Sequence, residues 1–188
     1  METSTTLDKT LEEYRAEFCR HRFLATPLAG TIAWAVVGIG SLWLNAFQSS
    51  MLLFAAVGGI AYLAMFLGRF TGENLTAGFG NPFDRLFFAG MFQAWLTLAI
   101  VIPFFMTDHR ALTLGMGIMT SLMWVTFSWI VQNPIGYLHC VVRIALILAV
   151  WYLLPEYHFQ AVPAVIVATY LVTIAALERR WRKLQKTR

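Results

Sequence analysis

The 188-residue chain is 59% hydrophobic and only 13% charged, about half the charged share of a soluble domain. Its mean hydropathy of +0.64 excludes a soluble catalytic domain and leaves only short connectors between apolar runs. The formal charge of +4 gathers in the flanks and tail, as on a membrane protein, so nucleic acid is not an expected partner.

The N-terminal segment reads as an amphipathic helix over residues 7–22. Leu7, Leu11, Tyr14 and Phe18 recur at spacings of four, three and four, with Asp8, Glu12, Glu13, Arg15 and Glu17 on the other faces. Such a helix lies on the membrane surface or covers the base of a bundle. Its acidic residues are the opposite of a basic secretory leader, so the first apolar run is expected to stay in the mature protein.

Six apolar runs follow, near 28–46, 50–68, 86–107, 111–131, 135–154 and 160–177. Each is long enough to cross a hydrocarbon layer of ~30 Å at ~1.5 Å per helical residue. The expected fold is an all-α integral membrane protein, with six transmembrane helices as three antiparallel hairpins behind the N-terminal helix. The chain then divides into residues 1–26, a membrane domain over 27–178 and a basic tail over 179–188. Lys9, Arg15, Arg20, Arg22, Arg69, Arg85 and six basic residues beyond 178 fall on one side of such a bundle, against Arg110 alone on the other. The positive-inside rule therefore places both termini in the cytoplasm of a multi-pass cell-membrane protein. The tail can also touch anionic lipid heads, so membrane lipid is an expected partner.

Prolines open the odd-numbered spans after a polar residue: Thr26-Pro27, Asn81-Pro82 and Asn133-Pro134. Asparagine and threonine cap helix N-termini, and proline suits the first helical position because its missing N–H had no partner there. Asn81/Asn133, Pro82/Pro134, Leu86/Leu138 and Pro103/Pro155 each recur at a 52-residue offset, as parallel hairpin repeats would. Small residues, among them Gly30, Gly38, Gly58, Gly59, Gly115 and Gly117, supply close-packing faces. Trp34, Trp43, Trp95, Trp124, Trp129 and Trp151 divide between interfacial anchoring and packing.

Arg143 is the residue most able to carry chemistry. It lies nine residues past Pro134, or ~13–14 Å along a helix and near the middle of a span. An arginine there costs about 2.5–3.5 kcal/mol on insertion scales, so it should face the interior and hold a partner. His139 is one turn earlier on the same face, and Tyr137 and Asn133 continue towards the cytoplasmic mouth. Gln93, eleven residues past Pro82, has a similar depth and is an expected hydrogen-bond partner. The connector from Arg69 to Arg85 mixes glycines, amides and charges. Its apolar Leu75, Ala77 and Phe79 are expected to fold back towards the membrane, and Glu73 and Asp84 are carboxylates for Arg143 or Arg85. The candidate substrate-binding set is Arg143, His139, Asn133, Gln93, Glu73, Asn81 and Asp84.

His21, His109, His139 and His158 are too scattered for a haem or zinc site, so no cofactor or metal is expected. Cys19 and Cys140 fall on different levels and are not a disulfide pair. The favoured function is a carrier or channel component for a small polar or anionic solute bound near Arg143. Such a short chain would enclose a full pathway most simply as a homodimer. The alternatives are an enzyme acting on a lipid or isoprenoid through Glu73, Asp84 and His139, and a non-catalytic membrane partner subunit.

Overall fold

In the computed structural model the described residues are 9–75 and 80–186, and among them every regular element is helical. Nine α-helices follow one another. They are α1 (Leu11–Cys19), α2 (Ala25–Gly40), α3 (Ala46–Gly58), α4 (Ile60–Thr71), α5 (Pro82–Leu96), α6 (Leu98–Thr107), α7 (Ala111–Val131), α8 (Ile135–Leu153) and α9 (His158–Lys186). Four stretches are long and apolar enough to cross a membrane: α5 with α6, α7, α8, and α9 with its lead-in turn. Counting α3 and α4 as one bent span makes five. The chain is a multi-pass membrane protein. The first apolar run is shorter than expected, because α2 has only 16 residues, or about 24 Å of helix.

Local chemistry explains most boundaries. Thr10 and Glu13 form a reciprocal capping box on α1, and Asn45 and Gln48 do the same on α3. Asn81 Oδ1 accepts from the Phe83 amide at 2.9 Å, and Asn133 Oδ1 accepts from the Ile135 amide at 3.1 Å, so the two Asn-Pro pairs open α5 and α8 alike. Thr26-Pro27 works differently. Helix α2 already begins at Ala25, and the Glu73 carboxylate accepts from the Leu24 and Ala25 amides at 2.9 Å each. The cap of α2 thus comes from the connector after α4. The other proline pair of the 52-residue offset also diverges. Pro103 lies inside α6, whereas Pro155 starts a short 3-10 turn after α8.

One expected span is bent, and another carries a single non-helical residue. Adjacent glycines, Gly58 and Gly59, separate α3 from α4 with a bend of 46°, a known site of kinking. Thr97 separates α5 from α6, its hydroxyl donating to the Ala94 carbonyl at 2.7 Å in place of an unbroken helical ladder. The N-terminal helix is shorter than the pattern over 7–22. Leu7 and Asp8 lie outside the described residues, and beyond Arg20 the chain turns away through Phe23 at φ 58°. Phe18 is buried and Tyr14 packs on the core, but Leu11 is exposed. Helix α1 therefore caps α5 and α7 at the base of the bundle.

Helix α7 is central, packed on α8, α5, α6 and α9. Helix α2 lies along α9 and against α4, and α8 lies against α7 and α9. Gly136 lets α7 and α8 approach: a Cβ there would overlap the Trp124 carbonyl oxygen and lie 2.9 Å from Ser128 Cβ.

One end of the bundle is rich in charge. Arg22 pairs with Glu178 at 3.0 Å and donates to the Thr71 carbonyl at 3.4 Å, with its guanidinium 4.7 Å from the Trp181 ring. Arg180 donates to the Cys19 carbonyl at 2.8 Å, and Asn81 Nδ2 to the Tyr14 carbonyl at 2.7 Å. The other end is held by uncharged groups. Ser41 donates to the Phe159 carbonyl, Gln160 to the Ser41 carbonyl, and Ser50 to the His109 carbonyl.

Candidate functional site: a buried arginine among aromatic rings

The buried positions of α8 are Gly136, His139, Cys140, Arg143 and Ile147, a single stripe at helical spacing that meets α7 and α9. Arg143, the ninth of the helix's 19 residues, is 0% exposed. The sequence expectation of an interior-facing arginine holds.

Its contacts come from four helices. Nη2 donates to Thr120 Oγ1 on α7 at 2.6 Å, and Nη1 to His139 Nε2 at 3.4 Å. The guanidinium carbon lies 5.0 Å from the Tyr170 ring on α9 and 5.9 Å from the Trp34 ring on α2, within the range of cation–π attraction. Gly30 on α2 makes room for Tyr170: a Cβ at that glycine would lie 2.8 Å from Tyr170 Cζ.

Hydrogen-bond logic fixes the protonation of the cluster. Arginine only donates, so His139 Nε2 accepts and the proton is on Nδ1, which donates to Thr173 Oγ1 at 2.7 Å. Thr173 passes its own hydroxyl hydrogen to the Thr169 carbonyl at 2.9 Å, and Thr120 passes its hydrogen to the Met116 carbonyl at 2.8 Å. His139 is therefore a neutral imidazole, sandwiched by rings at 4.5 Å (Trp124) and 5.2 Å (Tyr170).

What remains unpaired is all of one kind. Arg143 Nε, Trp34 Nε1 and Trp124 Nε1 are buried N–H donors with no hydrogen-bond partner among the described residues. Among the described residues no carboxylate pairs with Arg143. The site thus combines a buried positive charge with surplus donors and no negative charge. Its chemical complement is an acceptor-rich anion. Among the described residues no three His, Cys, Asp or Glu side chains converge as a metal site would need.

Of the candidate residues, the structure brings only His139 and Arg143 into contact. Gln93 is exposed on α5, while the guanidinium bonds to Thr120 and His139, so the expected Gln93–Arg143 bond is not formed. Equal depth did not mean a shared face. Glu73 caps α2, and Asp84, half-buried in the first turn of α5, does not reach Arg143. Asn81 and Asn133 serve as helix caps. Of the connector residues expected to fold back, Ala77 and Phe79 lie outside the described residues and Leu75 is 41% exposed.

Thr120, Thr173, Trp34, Trp124 and Tyr170 were missed as site residues. The signal available was small: hydroxyls and rings at mid-run positions within apolar segments. Residues 11–180 match the model of a family of unknown function, DUF7010. The chain belongs to that family. The match runs from the first residue of α1 into the polar end of α9, so the DUF7010 region contains both the arginine cluster and the charged end. No curated protein and no solved structure matches this DUF7010 chain.

Proposed function

We propose that this protein is a small membrane carrier or channel component that binds a small anion at Arg143. The observation that carries the reading is the buried guanidinium without a carboxylate, surrounded by unpaired N–H donors. Desolvating a cation is costly, and a protein retains such a group where something else repays the cost. An anion would supply the missing charge and acceptors, while Trp34, Trp124 and Tyr170 would wall its apolar side. The bent pair α3–α4 adds support, since broken spans are common in transport proteins.

A six-span arrangement of three hairpins with both termini cytoplasmic is consistent with this reading. Helices α2, α5 and α8 begin at the charged end, and α4, α7 and α9 finish there. The basic excess of that end favours the cytoplasmic side. The lipid-enzyme alternative has less support, because Glu73, Asp84 and His139 are held by different partners in different places.

The test is anion binding and uptake. Thermal unfolding of the detergent-purified chain, titrated with lactate, succinate, sulfate and chloride, should show stabilisation by at least one of them that Arg143→Gln lacks. The same anion, radiolabelled, should enter wild-type proteoliposomes faster than Arg143→Gln or protein-free vesicles. Identical behaviour of wild type and Arg143→Gln with every anion would end the proposal.

A further inference from the structure

A second arginine at the charged end is also unusually placed. Arg15 projects from α1, and its side chain is only 13% exposed. Among the described residues its carboxylate contact is Glu12, at 3.2 Å on the preceding turn, and that carboxylate is 79% exposed. Exposed pairs of this kind hold a cation weakly. The guanidinium lies 5.1 Å from the Phe83 ring and 5.5 Å from the Trp129 ring, and Arg15 Nε is buried with no partner.

Arg15 also forms one wall of a cleft of about 400 Å³ shared with the α7–α8 turn. The other walls include Ser128, Trp129, Gln132, Asn133 and Tyr137, so among the described residues the lining has one cation and no carboxylate. Ser128 and the Asn133 side chain are already committed within the turn: the Ser128 hydroxyl donates to the Asn133 carbonyl, and Asn133 Oδ1 caps α8. Trp129 and Tyr137 are 53% and 41% exposed. They occupy the last turn of α7 and the first turn of α8, the level at which aromatic side chains meet lipid headgroups.

We infer that this cleft is a phosphate-binding site, with the Arg15 fork on the phosphate oxygens and the Tyr137 phenol and Gln132 amide as further donors. Guanidinium geometry suits phosphate oxygens in pairs, and amphipathic aromatic walls suit a phosphate attached to something apolar. The phosphate can belong to a membrane phospholipid or to a soluble phosphate compound, and the two sources are separable. The site is independent of Arg143, so either proposal can fail alone.

The experiment uses the full chain in nanodiscs of mixed phosphatidylglycerol and phosphatidylcholine, with retained lipids counted by native mass spectrometry after release. Wild type should retain phosphatidylglycerol selectively, and Arg15→Gln should lower that retention about tenfold, as expected for loss of a charge-assisted bidentate contact. Arg20→Gln removes an exposed charge from the same end and should leave retention unchanged. Tyr137→Phe, on a different helix, should lower it about two- to threefold and keeps the test valid if Arg15→Gln fails to fold. A parallel arm titrates inorganic phosphate against chloride in phosphatidylcholine-only discs, following tryptophan fluorescence. Phosphatidylglycerol selectivity assigns the site to lipid, and a phosphate response that Arg15→Gln abolishes assigns it to a soluble phosphate compound. Absence of both, equal losses in Arg15→Gln and Arg20→Gln, or no effect of Tyr137→Phe would overturn the inference.

Discussion

Arg22 and Arg143 are the same side chain in opposite settings. Arg22 is partly exposed, ion-paired to Glu178, bonded to a backbone carbonyl and stacked on Trp181. It reads as a tie between the α1–α2 corner, the end of α4 and the tail of α9. Arg143 is fully enclosed, bonded to a threonine and a neutral imidazole, and has an Nε donor with no partner among the described residues. A purely structural cation would resemble the first. The contrast separates a fastening from a cation held without a counter-charge: Arg22 has its carboxylate, while among the described residues none pairs with Arg143.

The largest expected effect is on anion dependence. Arg143→Gln should weaken the response to the bound anion by at least about tenfold, the loss of one strong ionic contact. Arg22→Gln should change it by less than about twofold, because its contacts are with Glu178, Thr71 and Trp181 at the charged end and not with the Arg143 cluster. Equal losses in thermal-shift titrations would erase the distinction between the two arginines.

Next is a change of opposite sign. Arg143→Met removes the desolvated charge but keeps an unbranched chain of similar length, and buried ionic groups replaced this way often gain about 1–4 kcal/mol. Thr120 keeps its backbone acceptor, and the group left without a donor is His139 Nε2, which offsets part of the gain. The variant should unfold at a higher temperature than wild type without anion. A clear drop in melting temperature would assign Arg143 to structure instead.

Glu73→Ala, at the charged end, should cost about 1–3 kcal/mol by stranding the Leu24 and Ala25 amides. Glu73→Gln keeps an acceptor and should recover part of that loss, measured by denaturant or thermal unfolding in detergent. The smallest effect is Glu178→Ala. It removes the partner of Arg22 and Arg182 and should lower stability by no more than about 1 kcal/mol. A larger cost would mean that the charged end is as specialised as the middle.

Much of the fold was legible because hydrocarbon imposes a simple demand: long apolar stretches must be helical. The depth of Arg143 and its inward direction followed from counting residues from Pro134 and from the cost of a lipid-facing charge. His139 followed from helical spacing. The Asn-Pro openings were also readable, since a cap acts on its own first turn. The companions of the arginine were not. Thr120, Trp34 and Tyr170 come from helices far along the chain, and residue counting gives height without azimuth. Gln93 shows this failure, having the right height on an outward face. The role of Glu73 was hidden for a related reason, because its carboxylate caps a helix 48 residues earlier. The breaks at Gly58–Gly59 and Thr97 interrupt hydrophobic runs without changing their composition.

Gly30 has a reach beyond its own helix. The Tyr170 ring rests where a methyl group at that position would stand, and the same ring covers the guanidinium on α8. One hydrogen atom on α2 therefore sets how closely an aromatic lid presses on a cation two helices away. Enlarging it to alanine would shift that ring against the guanidinium remotely, leaving every atom of the arginine's own helix untouched.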